Sequence, residues 1–97
     1  MTRSIELARR DEMNFRSVRL SFSEEGLRLD AQDMGPDVER AWGHDDYEFW
    51  VSVKAQEFPA LLTALLREKY SGDIQAVSKF REFCERIDIP HEFTIWP

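Results

Sequence analysis

Apolar and polar residues alternate along two adjacent stretches near the beginning of the chain. Every second residue is apolar from 18 to 22 and again from 27 to 31. Such a period of two is typical of a strand with one buried face. The sequence Ser-Glu-Glu-Gly at 23–26 lies between the two stretches, and Gly26 can supply the positive φ that a hairpin turn often requires. The pattern predicts an antiparallel hairpin.

The first fourteen residues allow two interpretations. Ile5 and Leu7 are spaced as on an additional edge strand. The run Arg-Arg-Asp-Glu at 9–12 equally suits a polar turn or a frayed helix. Residues 1–14 are therefore either an edge strand or a frayed N-terminus.

The pattern changes twice after residue 46. Tyr47 opens an alternation of apolar and polar residues that continues to Val53 and predicts a strand rich in aromatic and β-branched residues. Residues 58–70 and 73–87 then repeat apolar side chains at helical spacing, with Gly72 between them as a helix terminator. Residues 91–96 alternate again and predict a closing strand. Residues 32–46 keep no apolar period and predict a loop, with one helical turn at 38–42.

These elements predict the order β-β-β-α-α-β in a single domain spanning residues 1–97. One-sided strands and one-sided helices bury their apolar faces against each other. We therefore expect an α+β fold, a two-layer sandwich with an antiparallel sheet of four, possibly five, strands and two helices on one face.

Composition limits the classes of function. The chain has 97 residues, a pI near 4.9 and one cysteine, Cys84. An acidic chain lacks the excess of Lys and Arg that drives binding to a phosphate backbone, so we expect no nucleic-acid partner. No apolar stretch approaches the ~20 residues that span a bilayer, and the first residues do not have the pattern of a signal peptide. We expect a cytoplasmic protein that does not bind a membrane.

Negative charge is confined to one segment, residues 30–48. The segment contains seven acidic residues and one basic residue, Arg40, and thus accounts for the whole formal charge of −6. The acids are Asp30, Asp33, Asp37, Glu39, Asp45, Asp46 and Glu48. Clustered charge attracts a surface of opposite sign, and Trp and Tyr dominate the energetics of protein interfaces. The segment and its exit contain Trp42, Tyr47 and Trp50.

Catalytic and metal-binding templates fit the segment poorly. The acids lack the fixed spacing of a calcium-binding loop, and the chain offers only two histidines and one cysteine as transition-metal ligands. Cys84 falls on the inward stripe of its predicted helix, which is typical of a buried structural thiol. His91 follows Pro90 and is expected to be a hydrogen-bonded polar residue. We expect no cofactor and no metal, and a metal-assisted hydrolase that uses His44 with nearby carboxylates remains the enzymatic alternative.

Three segments of the chain resemble a group of short bacterial proteins to which no activity is assigned. They are Asp-Ala-Gln-Asp-Met-Gly-Pro at 30–36, Gly-His-Asp-Asp-Tyr-Glu-Phe-Trp at 43–50, and Ile-Pro-His-Glu-Phe at 89–93 with the final Trp-Pro. The group is also similar in size and acidity to the immunity proteins that bacteria make against toxins. The resemblance implies a bacterial, cytoplasmic protein that binds another protein.

We therefore expect a non-enzymatic domain that binds a basic protein, as an immunity-like inhibitor does. The expected contact residues are Asp33, Asp37, Glu39, Trp42, His44, Asp45, Asp46, Tyr47, Glu48 and Trp50. A third alternative is a self-associating structural protein, a homodimer joined through the sheet face that carries Trp50.

Overall fold

The computed structural model describes residues 3–96, which group into two compact units that divide between Leu61 and Leu62. Residues 1, 2 and 97 lie outside the description. The strands are β1 (Arg3–Arg10), β2 (Phe15–Ser23), β3 (Gly26–Met34) and β4 (Asp46–Lys54). The helices are α1 (Pro36–Trp42), α2 (Phe58–Tyr70) and α3 (Ala76–Arg86), and a 3-10 turn (Ala55–Glu57) precedes α2. The fold is α+β with a four-stranded antiparallel sheet.

The sheet is a meander in which each strand pairs with the next along the chain. Its order is β1-β2-β3-β4, with every pair antiparallel. The predicted hairpin is confirmed, because Ser23 pairs with Gly26 across the turn and Gly26 has a φ of 155°. The edge strand considered for the first residues is also present as β1, which has an irregularity between Glu6 and Ala8.

The cross-strand pairs divide the sheet into an apolar and a polar face. Leu20, Leu29 and Val51 lie side by side on the apolar face. Arg19, Asp30 and Trp50 occupy the next row, on the polar face, because successive strand residues point to opposite sides. Trp50 and Arg19 therefore share the face opposite Phe49.

Apolar side chains of this face are solvent-exposed in the structure. Leu29 lies on a central strand and yet is 44% exposed, and Val51 beside it is 67% exposed. Ala31 and Cys84 are the buried hydrophobic residues of the described chain. Side chains on one face of a central strand are usually buried in a folded domain, so the exposure of Leu29 and Val51 is unusual.

The second unit is helical, and its cysteine is buried. The ring of Tyr70 at the end of α2 meets the ring of Phe80 on α3 edge-on, with centroids 6.1 Å apart. Cys84 is 5% exposed, which agrees with its predicted position on the inward stripe of the helix. The helix starts three residues later than predicted, because Asp73 caps the preceding turn: its carboxylate accepts a hydrogen bond from the Gln75 N–H at 2.8 Å.

A Schellman motif ends α3. The N–H of Ile89 donates to the carbonyl of Cys84 at 2.9 Å, and the N–H of Asp88 donates to the carbonyl of Glu85 at 3.3 Å. Asp88 occupies the left-handed position of the motif, with a φ of 57°. The chain therefore turns sharply just before Pro90.

The predicted closing strand is wrong. Residues 91–96 have no regular secondary structure, because a strand exists only through pairing and the rest of the second unit is helix or turn. The segment is held locally instead: the guanidinium of Arg81 lies 4.1 Å from the ring centroid of Phe93. Nδ1 of His91 lies 2.7 Å from the carbonyl oxygen of Ile89, in accordance with its expected hydrogen-bonded role.

The helix count also differs from the prediction, because residues 36–42 form a full helix, α1. Pro36 starts it at a position where a missing N–H is tolerated, and Asp37 and Glu39 favour its first turn electrostatically. Gly43 ends it with a φ of 80°, and its N–H donates to the carbonyl of Glu39 at 2.9 Å. The observed order is thus β-β-β-α-β followed by the 3-10 turn and two helices. None of the described helices is long and apolar enough to cross a membrane.

Candidate binding surface

The structure places most of the predicted contact residues in one corner, formed by α1, the loop 43–45 and the first residues of β4. We call residues 36–48 the acidic corner. A backbone hydrogen bond closes it, from the Gly35 N–H to the Asp45 carbonyl at 3.0 Å. Gly35 has a φ of 128°, and a Cβ there would overlap the carbonyl oxygen of Met13. The close approach therefore requires glycine.

Asn14 anchors α1 from the other side of the corner. Its Nδ2 donates to a carboxylate oxygen of Asp37 at 2.8 Å, and its Oδ1 accepts from the Asp37 N–H at 3.1 Å. Asn14 therefore satisfies one of the free N–H groups at the start of the helix, as a capping residue does. Sequence reasoning missed this residue, because its contact with α1 spans 23 positions.

Two of the predicted contact acids are neutralised within the protein. Asp33 accepts two hydrogen bonds from the guanidinium of Arg16, at 2.5 and 2.6 Å, and its side chain is only 16% exposed. The hydrogen bond from Arg16 lowers the pKa of the Asp33 carboxyl. Asp37 forms an ion pair with Arg40 in addition to its contacts with Asn14. Neither carboxylate is free to attract a partner.

Four acids of the segment are exposed and have no ion pair among the described residues. They are Glu39, Asp45, Asp46 and Glu48. His44 is exposed beside them. The net negative charge of the chain is therefore concentrated in a smaller area than the sequence indicated, at the acidic corner itself.

Aromatic rings accompany the charge on both sheet faces. Trp42 is 59% exposed and stacks on Tyr47, with centroids 4.8 Å apart and ring planes 8° from parallel. Tyr47 in turn contacts Phe49 at a centroid distance of 5.5 Å. Trp42 is thus held in one orientation by a neighbouring ring while remaining accessible, which suits a contact residue.

Trp50 belongs to the opposite face. It is 54% exposed, and the guanidinium of Arg28 lies 5.3 Å from its ring centroid. The structure therefore does not bring Trp50 and Trp42 together: the predicted contact set is split between the polar and the apolar face. Asp30 lies beside Trp50, and its buried Oδ1 has no hydrogen-bond partner in the described part of the chain.

Two further observations concern groups that could bind a metal ion or transfer a proton. Within residues 3–96, no group of three or more His, Cys, Asp or Glu side chains is placed to hold a metal ion. At the end of α3, Cys84, Glu85 and His91 line one shallow depression, which sequence spacing did not reveal. Nε2 of His91 is 3.9 Å from the carboxylate of Glu85, too far for a hydrogen bond.

Comparisons with protein-family models, with curated proteins and with solved structures find no match to this chain.

Proposed function

We propose that this protein is a non-enzymatic binding domain whose acidic corner recruits a basic protein. One observation carries the proposal: four exposed acids without an ion pair among the described residues belong to the same corner, residues 36–48, as an exposed Trp42 that stacks on Tyr47. The charge steers a cationic surface toward the corner and speeds the encounter. The tryptophan then supplies the apolar contact that slows dissociation. A bacterial, cytoplasmic, immunity-like inhibitor is the class of protein that this chemistry suits.

The contact set of the proposal is narrower than the sequence indicated. It consists of Glu39, Trp42, His44, Asp45, Asp46, Tyr47 and Glu48. Asp33 and Asp37 are left out because Arg16 and Arg40 already neutralise them. Trp50 is left out because it lies outside residues 36–48 and the guanidinium of Arg28 already lies 5.3 Å from its ring centroid.

A charge-neutral variant tests the proposal. Glu39→Gln, Asp45→Asn and Glu48→Gln remove three unpaired charges from the corner without removing side-chain volume. The matched control makes the same change in net charge elsewhere, at Glu12, Glu68 and Glu82, which are exposed. Each protein is immobilised, and proteins captured from source-cell lysate are quantified by mass spectrometry.

We expect the corner variant to lose basic proteins that the wild type and the control retain. Equal capture by all three proteins would refute the proposal. Trp42→Ala is the second arm, and it should shorten the lifetime of the complex while leaving its rate of formation nearly unchanged.

We also propose that α2 and α3 cover the apolar face of the sheet as the second layer of a sandwich. The support is that both sides have exposed apolar residues: Val51 and Leu29 on the sheet, Leu62 and Leu65 on α2. Burying such side chains is worth about 1.5–3 kcal/mol each. Nuclear Overhauser contacts between the methyl groups of Val51 and Leu65 would support the layer, and their absence in a folded sample would refute it.

A further inference from the structure

The two edges of the sheet differ in how they are protected. β1 contains an irregularity between Glu6 and Ala8, and three of its eight residues are arginine. Bulges and charges are the devices by which natural proteins prevent edge strands from pairing with other chains. β4 pairs with β3 without a register shift over all nine of its residues, and it contains no proline. β4 therefore lacks the irregularity that interrupts β1, and its charged residues, Asp46, Glu48 and Lys54, lie toward its two ends.

The register shows which residues of β4 face outward along the edge. The Ala55 N–H donates to the Glu25 carbonyl at 2.8 Å, and the Gly35 N–H donates to the Asp45 carbonyl at 3.0 Å. Hydrogen-bonded and non-hydrogen-bonded pairs alternate in an antiparallel ladder. The odd-numbered residues of β4 therefore bond to β3, and the even-numbered residues 46–54 direct their N–H and C=O groups away from the sheet. Within residues 3–96, the outward-directed backbone groups of residues 46–52 have no backbone partner, whereas the Lys54 carbonyl is where the 3-10 turn Ala55–Glu57 begins.

The sequence of β4 is chemically symmetric about Trp50. Asp46 and Lys54 lie four positions before and after it, with opposite charges. Phe49 and Val51 flank it directly. A second β4 strand that runs in the opposite direction therefore places an aromatic Phe49 opposite a β-branched Val51. Aromatic–β-branched pairs and opposite charges are the combinations that stabilise neighbouring antiparallel strands.

We propose that β4 pairs with β4 of a second copy of this chain, antiparallel and centred on Trp50, so that two sheets join into one. In this register Asp46 faces Lys54 of the second copy at both ends of the seam, and Phe49 faces Val51. Every outward-directed residue of one strand meets an outward-directed residue of the other, so all the free backbone groups of both edges are satisfied. The seam is isologous and closes after two chains.

The proposal goes beyond the binding of a basic partner. The contact is made along the edge of β4 and not through the face that carries Trp50. Glu39, Trp42 and the loop 43–45 lie outside the seam, so each copy would still present that part of its acidic corner, whereas residues 46–48 belong to both surfaces. The acidic chains repel each other, and screening should therefore favour the dimer as salt rises, whereas it should weaken binding of a basic protein.

Charge reversal tests the register. Sedimentation velocity of the full chain over a range of concentrations measures the dimer dissociation constant. Asp46→Lys should raise that constant about tenfold, because two cross-strand attractions become repulsions, and Lys54→Asp should do the same. The double variant Asp46→Lys with Lys54→Asp should restore wild-type association. Glu39→Lys is the control, since it makes the same charge change outside β4.

Circular dichroism of each variant confirms that the sheet is intact. A wild-type chain that stays monomeric up to about 1 mM would overturn the proposal. The proposal would also be overturned if neither single charge reversal changes the dimer dissociation constant, or if the double variant does not restore the wild-type value. Either result would mean that the chains associate through another surface.

Discussion

Gly26 should tolerate no side chain, and its replacement tests the geometry of the central hairpin. Its φ of 155° is strained for any residue with a Cβ. A Cβ would also overlap the Val53 carbonyl oxygen and lie 2.9 Å from Cα of Lys54 and 3.0 Å from N of Ala55. All three neighbours are backbone atoms at the end of β4, so relief requires the strand itself to move.

We expect Gly26→Ala to lower the free energy of unfolding by about 2–5 kcal/mol, from backbone strain and overpacking together. That loss is a large part of the roughly 5–15 kcal/mol that stabilises a typical domain. Gly43→Ala is the matched control. Gly43 also has a positive φ, of 80°, but nothing lies within 4 Å of its Cβ position. The control should lose only about 1–2 kcal/mol, the cost of the left-handed conformation.

Urea denaturation followed by circular dichroism measures both variants. Equal losses for Gly26→Ala and Gly43→Ala would show that the backbone of β4 does not approach Gly26 as closely as described. A larger loss for the control would contradict the reasoning as well.

Three further predictions concern single residues. Arg16 lowers the pKa of Asp33 below its ordinary value of 3.8, so the stabilisation from this pair is complete above pH 3.8 and is lost as the pH falls through the lowered pKa. The difference in unfolding free energy between wild type and Asp33→Asn, measured by urea unfolding at a series of acid pH values, should shrink over this window. A constant difference would refute the linkage. Asp88→Gly should raise stability by about 0.5–1 kcal/mol in thermal unfolding, since glycine suits the left-handed position, and Asp88→Ala should give no gain. Asn14→Ala should speed amide hydrogen exchange in α1 and cost about 1 kcal/mol, and unchanged exchange would exclude the anchoring role.

The hairpin shows how much of the fold the sequence predicts. Alternation and Gly26 locate the turn, and a turn at 24–25 fixes the register of the two strands. That register alone places Arg16 opposite Asp33 and Arg19 opposite Asp30. The neutralisation of Asp33 could therefore have been predicted, and with it the smaller size of the charged surface.

The remaining differences depend on contacts that local patterns do not contain. Residues 91–96 alternate like a strand, but alternation alone supplies no pairing partner. The helix α1 has no buried residue, and its sequence therefore shows no apolar period. Pro36 at its start and Gly43 at its end were the local signals that could have predicted a helix. The role of Asn14 depends on tertiary contact alone.

The salt dependence of association tests the central claim most directly. The association and dissociation rates of a basic protein captured by the wild type are measured by a stopped-flow or surface-based assay from about 50 to about 500 mM NaCl. Over this range the Debye length falls from roughly 14 to 4 Å. If the acidic corner recruits the partner, the association rate should fall steeply with salt while the dissociation rate changes little. The variant neutralised at Glu39, Asp45 and Glu48 should associate slowly at low salt and respond weakly to added salt. An association rate for the wild type that is independent of salt would contradict the account.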